Sequence, residues 1–369
     1  MSKKFFFLFF VLTSIANSIP ILFNKYIMFN MSTAEYIKYQ ALWTIVLWFQ
    51  PAVSLGSQNI IRVKNDFQNI SGYVTNTIFI SILLIFFGIL IGVDFFSLLC
   101  GFLITMVSYT ICYFESSKKL LRSSLLKFFW LFSSGIITVL FVSYFNYYSR
   151  IYSSLIISII IIIYFFKILF KKNKFNLKLF DNYGLGLSAL VVVINLVFFF
   201  DRNELYSVNS DHIQYQFACG FFLMNLVLFG SRPLILLSEI GIVSKNIWNI
   251  KKTYISFLLC LIFLVIAFFF RDFLINLFFF NEDNLTVEKS TVLVWLLIGA
   301  FRFFSDLLIP LISNHKYFLY LASLFLILGY LLVSNYNFNY IPYFYMVYFC
   351  SLALFILNDY YSKYRSIKE

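Results

Sequence analysis

Long apolar runs separated by short polar clusters fill this chain from end to end. A helix that crosses a membrane needs about 20 mostly apolar residues, and the chain divides at its charged and turn-forming clusters into twelve runs of about that length. The predicted spans of the first half are 5–28, 36–61, 73–93, 96–114, 124–145 and 151–170. Those of the second half are 183–200, 212–238, 253–275, 290–312, 317–334 and 340–358.

The composition agrees with this pattern. Of the 369 residues, 62% are hydrophobic and only 12% are charged. A soluble domain carries about 25% charged residues, so this chain has too little charge to cover a surface that faces water. A soluble enzyme, a disordered protein and a nucleic-acid binder are excluded, and an all-α membrane protein is predicted. The first apolar run follows Lys3 and Lys4 and continues to Phe23 without a small-residue cleavage site, which favours a retained span over a signal peptide.

The distribution of the 28 lysines and arginines predicts the orientation of the spans. Cytoplasmic loops of membrane proteins carry an excess of these residues. When the N-terminus is placed in the cytoplasm, most of them fall on the cytoplasmic side, and twelve spans return the C-terminus to the same side. The outer side then receives only Lys25, Arg150, Arg202, Arg271 and Lys289. Both termini are therefore predicted to be cytoplasmic.

The two halves of the chain resemble each other, which predicts an internal repeat. Glu35–Gln40, near the start of span two, resembles Asp211–Gln216, near the start of span eight. The far ends of the same spans match as well, in the triplets that begin at Gly56 and at Gly230. Two parallel copies of six spans predict pseudo-symmetric six-helix lobes around a central cavity. The predicted division is an N-terminal lobe at 1–170, a basic cytoplasmic linker at 171–182, a C-terminal lobe at 183–360 and a cytoplasmic tail at 361–369.

Charged residues inside predicted spans are candidates for a functional site, because burying a charge in a bilayer is costly and needs a partner or a wet cavity. Arg302 and Asp306 lie four residues apart in span ten, so they share one helix face. Arg302 is about halfway along that span. The pair has two open interpretations. Either it is an internal ion pair, or Arg302 is a cavity cation for an anionic substrate with Asp306 as its counter-ion or a proton-titrating site.

Four further charged residues are candidates as well. Arg232 lies deep in span eight before Pro233, and it either snorkels to the inner headgroups or faces the cavity. Asp201 and Arg202 end span seven, where they form either an interfacial pair or part of the cavity. Lys25 ends span one in a similar place.

Other chemistry finds little support in the sequence. The five cysteines lie in apolar runs without metal-ligand spacing, and the two histidines are far apart. No catalytic Ser/His/Asp set and no glycine-rich phosphate loop are present, so neither an enzyme nor a cofactor is predicted. Tyrosines near the predicted interfaces are typical of an aromatic belt: Tyr144, Tyr147, Tyr148, Tyr340, Tyr343 and Tyr345.

Several local patterns carry a resemblance to a known family. They are Asn30–Tyr36 followed by Leu55-Gly56, Asp201-Arg202 leading to Asn209–Asp211 and Tyr215, Arg232-Pro233 to Lys252, and Ser313–Lys316 after Pro310, echoed by Ser116–Lys119. With these patterns and its twelve spans, the chain resembles the Wzx-type O-antigen and polysaccharide flippases. These belong to the multidrug/oligosaccharidyl-lipid/polysaccharide exporter (MOP) superfamily. Glu35 is not followed by the aromatic-glycine pair usual in that family.

The resemblance implies a function. It implies flipping of an undecaprenyl-diphosphate-linked repeat unit from the inner to the outer leaflet of the bacterial inner membrane by alternating access. Arg302, Arg232, Arg202 and Lys25 would attract the diphosphate, and Asp306 and Asp201 would orient the cations or couple to an ion gradient. The implied partners are the lipid-linked oligosaccharide, the bilayer, a polysaccharide polymerase and a chain-length regulator.

Two alternatives stay open at this stage. A membrane polysaccharide polymerase of the same pathway has similar hydropathy, but such proteins usually carry a large outer loop with paired arginines, and the outer loops here are short. The acidic stretch from Glu282 to Glu288 is the only candidate loop. Another exporter of the superfamily is the second alternative, and the cations inside the spans favour an anionic substrate over a cationic drug.

Overall fold

The computed structural model describes most of the chain. The described ranges are 3–31, 33–64, 66–170, 182–207, 216–217, 219–220, 223–225, 227–228, 250–278, 288–309, 317–336 and 338–368. These ranges consist of helices joined by turns, and they contain no strand. The all-helical part of the prediction is therefore confirmed.

The described residues before 208 form nine α-helices. They are α1 (Lys3–Phe29), α2 (Thr33–Ser54), α3 (Ser57–Lys64), α4 (Ile70–Leu90), α5 (Phe95–Ser116), α6 (Leu120–Phe145), α7 (Ser149–Tyr164), α8 (Phe166–Leu169) and α9 (Asn182–Ser207). Short 3-10 turns at Phe67–Asn69 and Asn146–Tyr148 precede α4 and α7.

Five labelled helices follow. They are α10 (Ile250–Phe269), α11 (Arg271–Phe278), α12 (Lys289–Leu308), α13 (Phe318–Tyr336) and α14 (Ile341–Lys368). The described residues of 216–228 are also helical. Most of predicted span eight, with Arg232 and Pro233, lies outside the described residues.

Six stretches of the described chain are long and apolar enough to cross a membrane. They are Phe67–Leu90, Phe95–Ser116, Leu120–Tyr164, Lys289–Leu308, Phe318–Asn335 and Ile341–Asp359. The longest contains both α6 and α7 together with the 3-10 turn at Asn146–Tyr148 that separates them. These helices make the protein a multi-pass membrane protein. The number twelve and the cytoplasmic placement of both termini stay predictions.

The two faces of α4 differ in polarity in the way that a bilayer requires. Its exposed side carries large apolar residues such as Phe79, Ile82 and Phe86, which are more than half exposed. Its buried side carries small polar residues, among them Asn76 and Thr77. Small and hydroxyl-bearing residues at helix contacts let backbones approach closely and hydrogen-bond, whereas lipid tails accommodate the apolar outside.

The breaks between helices have local causes. Leu55 and Gly56 both have positive φ, at 46° and 71°, so predicted span two, 36–61, is not continuous but divides into α2 and α3. Gly92, with φ at 80°, follows α4. Asp94 then caps α5, because its carboxylate accepts a hydrogen bond from the Ser97 backbone N–H at 2.7 Å.

The chain forms two compact units, which we describe separately. The first comprises residues 1–199 and 316–320, and the second comprises residues 200–315 and 321–369. Residues 171–181 of the predicted linker lie outside the described residues. The predicted division into lobes at 171–182 and the predicted central cavity between the lobes stay predictions.

Buried hydroxyls and amides join the helices of the first unit. Thr13 on α1 hydrogen-bonds Ser124 on α6 at 2.8 Å, and Gln50 on α2 donates to Ser108 on α5 at 2.9 Å. The Ser188 hydroxyl on α9 donates to the Pro51 carbonyl at 2.6 Å. In a medium without water each such group needs an internal partner, so these bonds fix which helix faces meet.

Candidate functional site

Two of the sequence-predicted site residues lie on α12. Arg302 and Asp306 are both half-buried, and the Arg302 guanidinium lies 5.9 Å from the centre of the Phe349 ring on α14. Ser305, between them in sequence, is buried and donates to the Phe349 carbonyl at 3.2 Å. The cation of α12 is therefore placed against α14, where the aromatic face offsets part of the cost of withdrawing its charge from water.

Asp201 is the third described site residue, and it is buried in the second unit. Only 1% of Asp201 is exposed. The Tyr345 hydroxyl of α14 donates a hydrogen bond to its Oδ2. Tyr345 itself is 1% exposed, so its assignment to an aromatic belt at the membrane surface is wrong. Tyr144, Tyr340 and Tyr343 are exposed, as such a belt requires.

The other three predicted cations cannot be placed at a site. Arg232 lies outside the described residues. Arg202 lies in α9 and Lys25 in α1, but both side chains lie outside the described part of the chain. A common site for the six predicted residues stays a prediction.

The first unit contains a cavity whose chemistry the sequence did not reveal. It has a volume of about 30 Å³ and lies among α1, α2, α6 and α7. Arg150, at the start of α7, lines it together with Tyr39 and Trp43 of α2. The alternation of the predicted spans places Arg150 on the outer side, between spans 124–145 and 151–170. Its neighbours in space come from far along the chain, so no local signal marks it.

Aromatic contacts hold Arg150 in place. Its guanidinium carbon lies 3.6 Å from the centre of the Trp43 ring. Its Nη1 donates to the Tyr39 hydroxyl at 3.2 Å. Of the described residues, none forms an ion pair with Arg150. The site therefore presents a positive charge that two aromatic rings position and that no carboxylate of the described chain neutralises.

Hydroxyls and the Trp130 indole also lie around this cavity. Thr138 and Ser154 line it and are buried. Thr138 hydrogen-bonds Ser153 at 2.6 Å, which joins α6 to α7. Trp130 also lines the cavity and is 9% exposed, and within the described chain no acceptor hydrogen-bonds its indole N–H.

A second ionic site of the first unit was also missed. Arg62 at the end of α3 donates from Nε to Glu115 of α5 at 2.7 Å, with 12% and 5% of the two side chains exposed. Asn59 accepts a further bond from Arg62 Nη1 at 3.3 Å. The sequence analysis counted Arg62 among the cytoplasmic loop charges. Its distance in sequence from Glu115 hides the pairing.

The described residues contain no cluster of three or more histidine, cysteine, aspartate or glutamate side chains that could hold a metal ion. Four cysteines, Cys100, Cys112, Cys219 and Cys260, are buried, and Cys350 is half-buried. These thiols pack as small apolar side chains.

Several solved structures have a similar fold. A MATE transporter in complex with MaL6 matches with a TM-score of 0.69 and 11% identity, over 98% of this chain and 96% of that chain. A MOP-superfamily transporter from Pyrococcus furiosus, described as having a binding pocket of reversed polarity, matches with a TM-score of 0.66 and 12% identity over 99% and 96%.

An outward-facing multidrug-resistance MATE transporter of the MOP superfamily matches with a TM-score of 0.67 and 11% identity, over 97% of this chain and 95% of that chain. No family model and no curated protein match the chain. The protein thus has the MATE-like fold of a multi-pass membrane protein over nearly its whole length.

Proposed function

We propose that this protein is a transporter of the bacterial inner membrane that flips a polyprenyl-diphosphate-linked oligosaccharide by alternating access, for surface polysaccharide assembly. The observation that carries the proposal is a MATE-like fold over the whole chain with arginines among its apolar helices. Neither a diphosphate nor a glycan crosses hydrocarbon unaided, since the bilayer core offers them no hydrogen bonds. Arginines between helices offer the phosphates charge and donors while the prenyl tail stays in lipid.

The described charges favour an anionic substrate. Arg150 and Arg302 both lie against aromatic rings, and an anion can approach a cation held in this way. The residues that we assign to the diphosphate are Arg302, Arg232, Arg202 and Lys25. Their convergence on one cavity is part of the proposal. Arg302, whose described side chain lies between two helices, supplies the first residue to test.

The acidic residues have a separate part in the proposal. Asp306 shares α12 with Arg302, four residues away, and it orients that cation or titrates during transport. Asp201 is held by Tyr345 within the second unit, and it serves the same role toward Arg202. A secondary transporter needs such a titratable or ion-binding group, because it has no nucleotide site to supply energy.

Replacement of Arg302 tests the proposal. We expect Arg302→Ala to abolish surface glycan in the source bacterium while the amount of protein in the membrane stays normal, and Arg302→Lys to retain part of it. Arg122→Ala is the matched control, because Arg122 is exposed on α6. Unchanged surface glycan in Arg302→Ala would refute the role of Arg302.

Deletion of the whole chain separates the candidate functions. Loss of a flippase leaves lipid-linked repeat units on the cytoplasmic leaflet and none at the surface. Loss of a polymerase leaves single repeat units at the surface. The likeness to a multidrug-resistance transporter favours a drug exporter as the other candidate. Loss of a drug exporter leaves surface glycan intact and sensitises the cell to cationic compounds.

A further inference from the structure

Hydrogen-bond donors line the cavity of the first unit. Arg150 brings a positive charge to it, and the described chain places no carboxylate in ion-pair contact with that charge. A guanidinium has five N–H groups. One of them is used on the Tyr39 hydroxyl, and the Trp43 ring covers one face of the group. The remaining N–H groups need acceptors.

Trp130 provides the second, independent observation. Its indole N–H is a donor only, the side chain is more than nine-tenths buried, and no acceptor of the described chain bonds it. A buried donor without an acceptor is costly, and among the buried polar groups of the described chain that lack a partner, Trp130 is the one that lines this cavity. Because Trp130 and Arg150 line the same cavity, one acceptor inside that cavity would serve both.

Ser154 adds a hydroxyl to the same cavity. It lines the cavity from α7, one helical turn after Arg150, and is 2% exposed. None of the described residues forms a hydrogen bond with its hydroxyl. The hydroxyl can therefore turn its hydrogen toward a guest. A cation and two donors without acceptors select a negatively charged guest over a neutral or positive one.

The volume limits the guest to one small group. The cavity measures about 30 Å³, about twice the 10–15 Å³ that is needed to hold one water molecule. A sugar ring does not fit in it. A halide ion, or one end of a carboxylate or phosphate, does.

We propose that this cavity is an anion-binding site, in which Arg150, Trp130 and Ser154 hold one anionic group. The occupant is a small free anion or a carboxylate or phosphate of the transported substrate, and only the second source rests on the proposed function. In that case the site binds one acidic group of the substrate within the first unit, whereas Arg302 belongs to the second unit. The site itself requires no transport and is testable in purified protein.

Thermal unfolding of the purified full-length protein in detergent is the test. Sodium gluconate is replaced stepwise by sodium bromide, sodium acetate or sodium phosphate at constant ionic strength and pH. Gluconate is the bulkiest of the four anions, so it serves as the reference against which the other three are compared. We expect at least one of the three salts to raise the unfolding temperature with a saturable dependence on concentration.

Variants locate the effect. Arg150→Gln should abolish the saturable rise, and Trp130→Phe, which keeps a ring but removes the N–H, should weaken the apparent affinity by about tenfold. Arg122→Gln, at an exposed arginine of the same unit, should leave it unchanged. If Arg150→Gln does not fold, Trp130→Phe still tests the proposal, since it keeps an aromatic ring of similar shape at position 130.

The salts distinguish the kinds of anion. Saturation by bromide alone assigns a halide ion, and saturation by acetate or phosphate but not bromide assigns a carboxylate or phosphate group, the kind of group that the proposed substrate carries. No saturable rise in any salt, or a rise that Arg150→Gln and Trp130→Phe leave unchanged, overturns the proposal and assigns the cavity to water. Unchanged surface glycan in Arg302→Ala would refute the role of Arg302 in the proposed function and leave this result standing.

Discussion

Tyr345 donates a hydrogen bond to Asp201 from a helix that begins more than a hundred residues later in the chain, and both side chains are 1% exposed. A buried carboxylate depends on such a donor, because the surroundings offer it no water. The bond ties the end of α9 to α14 within the second unit. It also turns a tyrosine predicted to lie at the membrane surface into part of the interior.

Removal of the Tyr345 hydroxyl should therefore destabilise the protein. We expect Tyr345→Phe to lower the free energy of unfolding by about 1–3 kcal/mol, since the buried Asp201 carboxylate loses this hydrogen bond. Thermal unfolding in detergent measures the change. The matched control is Tyr343→Phe, on the same helix but 48% exposed, which should change stability little. Equal effects of the two variants would contradict a special role for this bond.

The turn between α2 and α3 offers a test of backbone packing. Gly56 has φ at 71°, and a Cβ built there would lie 2.0 Å from the carbonyl oxygen of Gly184 on α9. Gly92 also has positive φ, at 80°, but a Cβ there meets nothing within 4 Å. Gly92→Ala should lower the free energy of unfolding by about 1–2 kcal/mol, from the backbone conformation alone. Gly56→Ala should lower it by about 3 kcal/mol or more, because the overlap with Gly184 adds to the conformational cost.

The yield of monodisperse protein in detergent and its unfolding temperature compare the two glycine variants. Equal losses would show that the left-handed conformation, and not the approach of α9, requires glycine at position 56.

The Arg62–Glu115 pair should behave as a buried ion pair, although Arg62 looks like a loop charge in the sequence. We expect Arg62→Met to destabilise the protein by about 3–5 kcal/mol, since it leaves the Glu115 carboxylate buried without its cation. The double variant Arg62→Met/Glu115→Leu should recover much of that loss. A double-mutant cycle by thermal unfolding measures the coupling, and additive single effects would argue against the pair.

The predicted orientation is testable with single introduced cysteines. In a Cys350→Ala background, where the four remaining native thiols are buried, Tyr144→Cys should react with a membrane-impermeant maleimide in intact cells. Lys118→Cys should react only after permeabilisation. Both positions are exposed, and they lie at opposite ends of α6 and the turn before it. The reverse labelling would invert the predicted topology.

The sequence alone determined the membrane-spanning character and the places of many helices. Predicted span 96–114 corresponds to helix Phe95–Ser116, and predicted span 73–93 corresponds to helix Ile70–Leu90. The physical reason is that a bilayer satisfies no backbone hydrogen bonds, so a long apolar run has one stable conformation in it, the helix. Short breaks are harder to predict, and the positive φ at Leu55 and Gly56 interrupted a span that hydropathy joined.

The tertiary structure alone decided which polar groups meet. Arg150 was counted as an outer loop charge, and Arg62 as a cytoplasmic one. In the fold the first lines a cavity with Trp43 and Trp130, and the second pairs with Glu115. Hydropathy sums the residues along one dimension, so it places a segment in the membrane without saying which face of the helix meets which neighbour. Partners separated by fifty or more residues depend on how the helices pack.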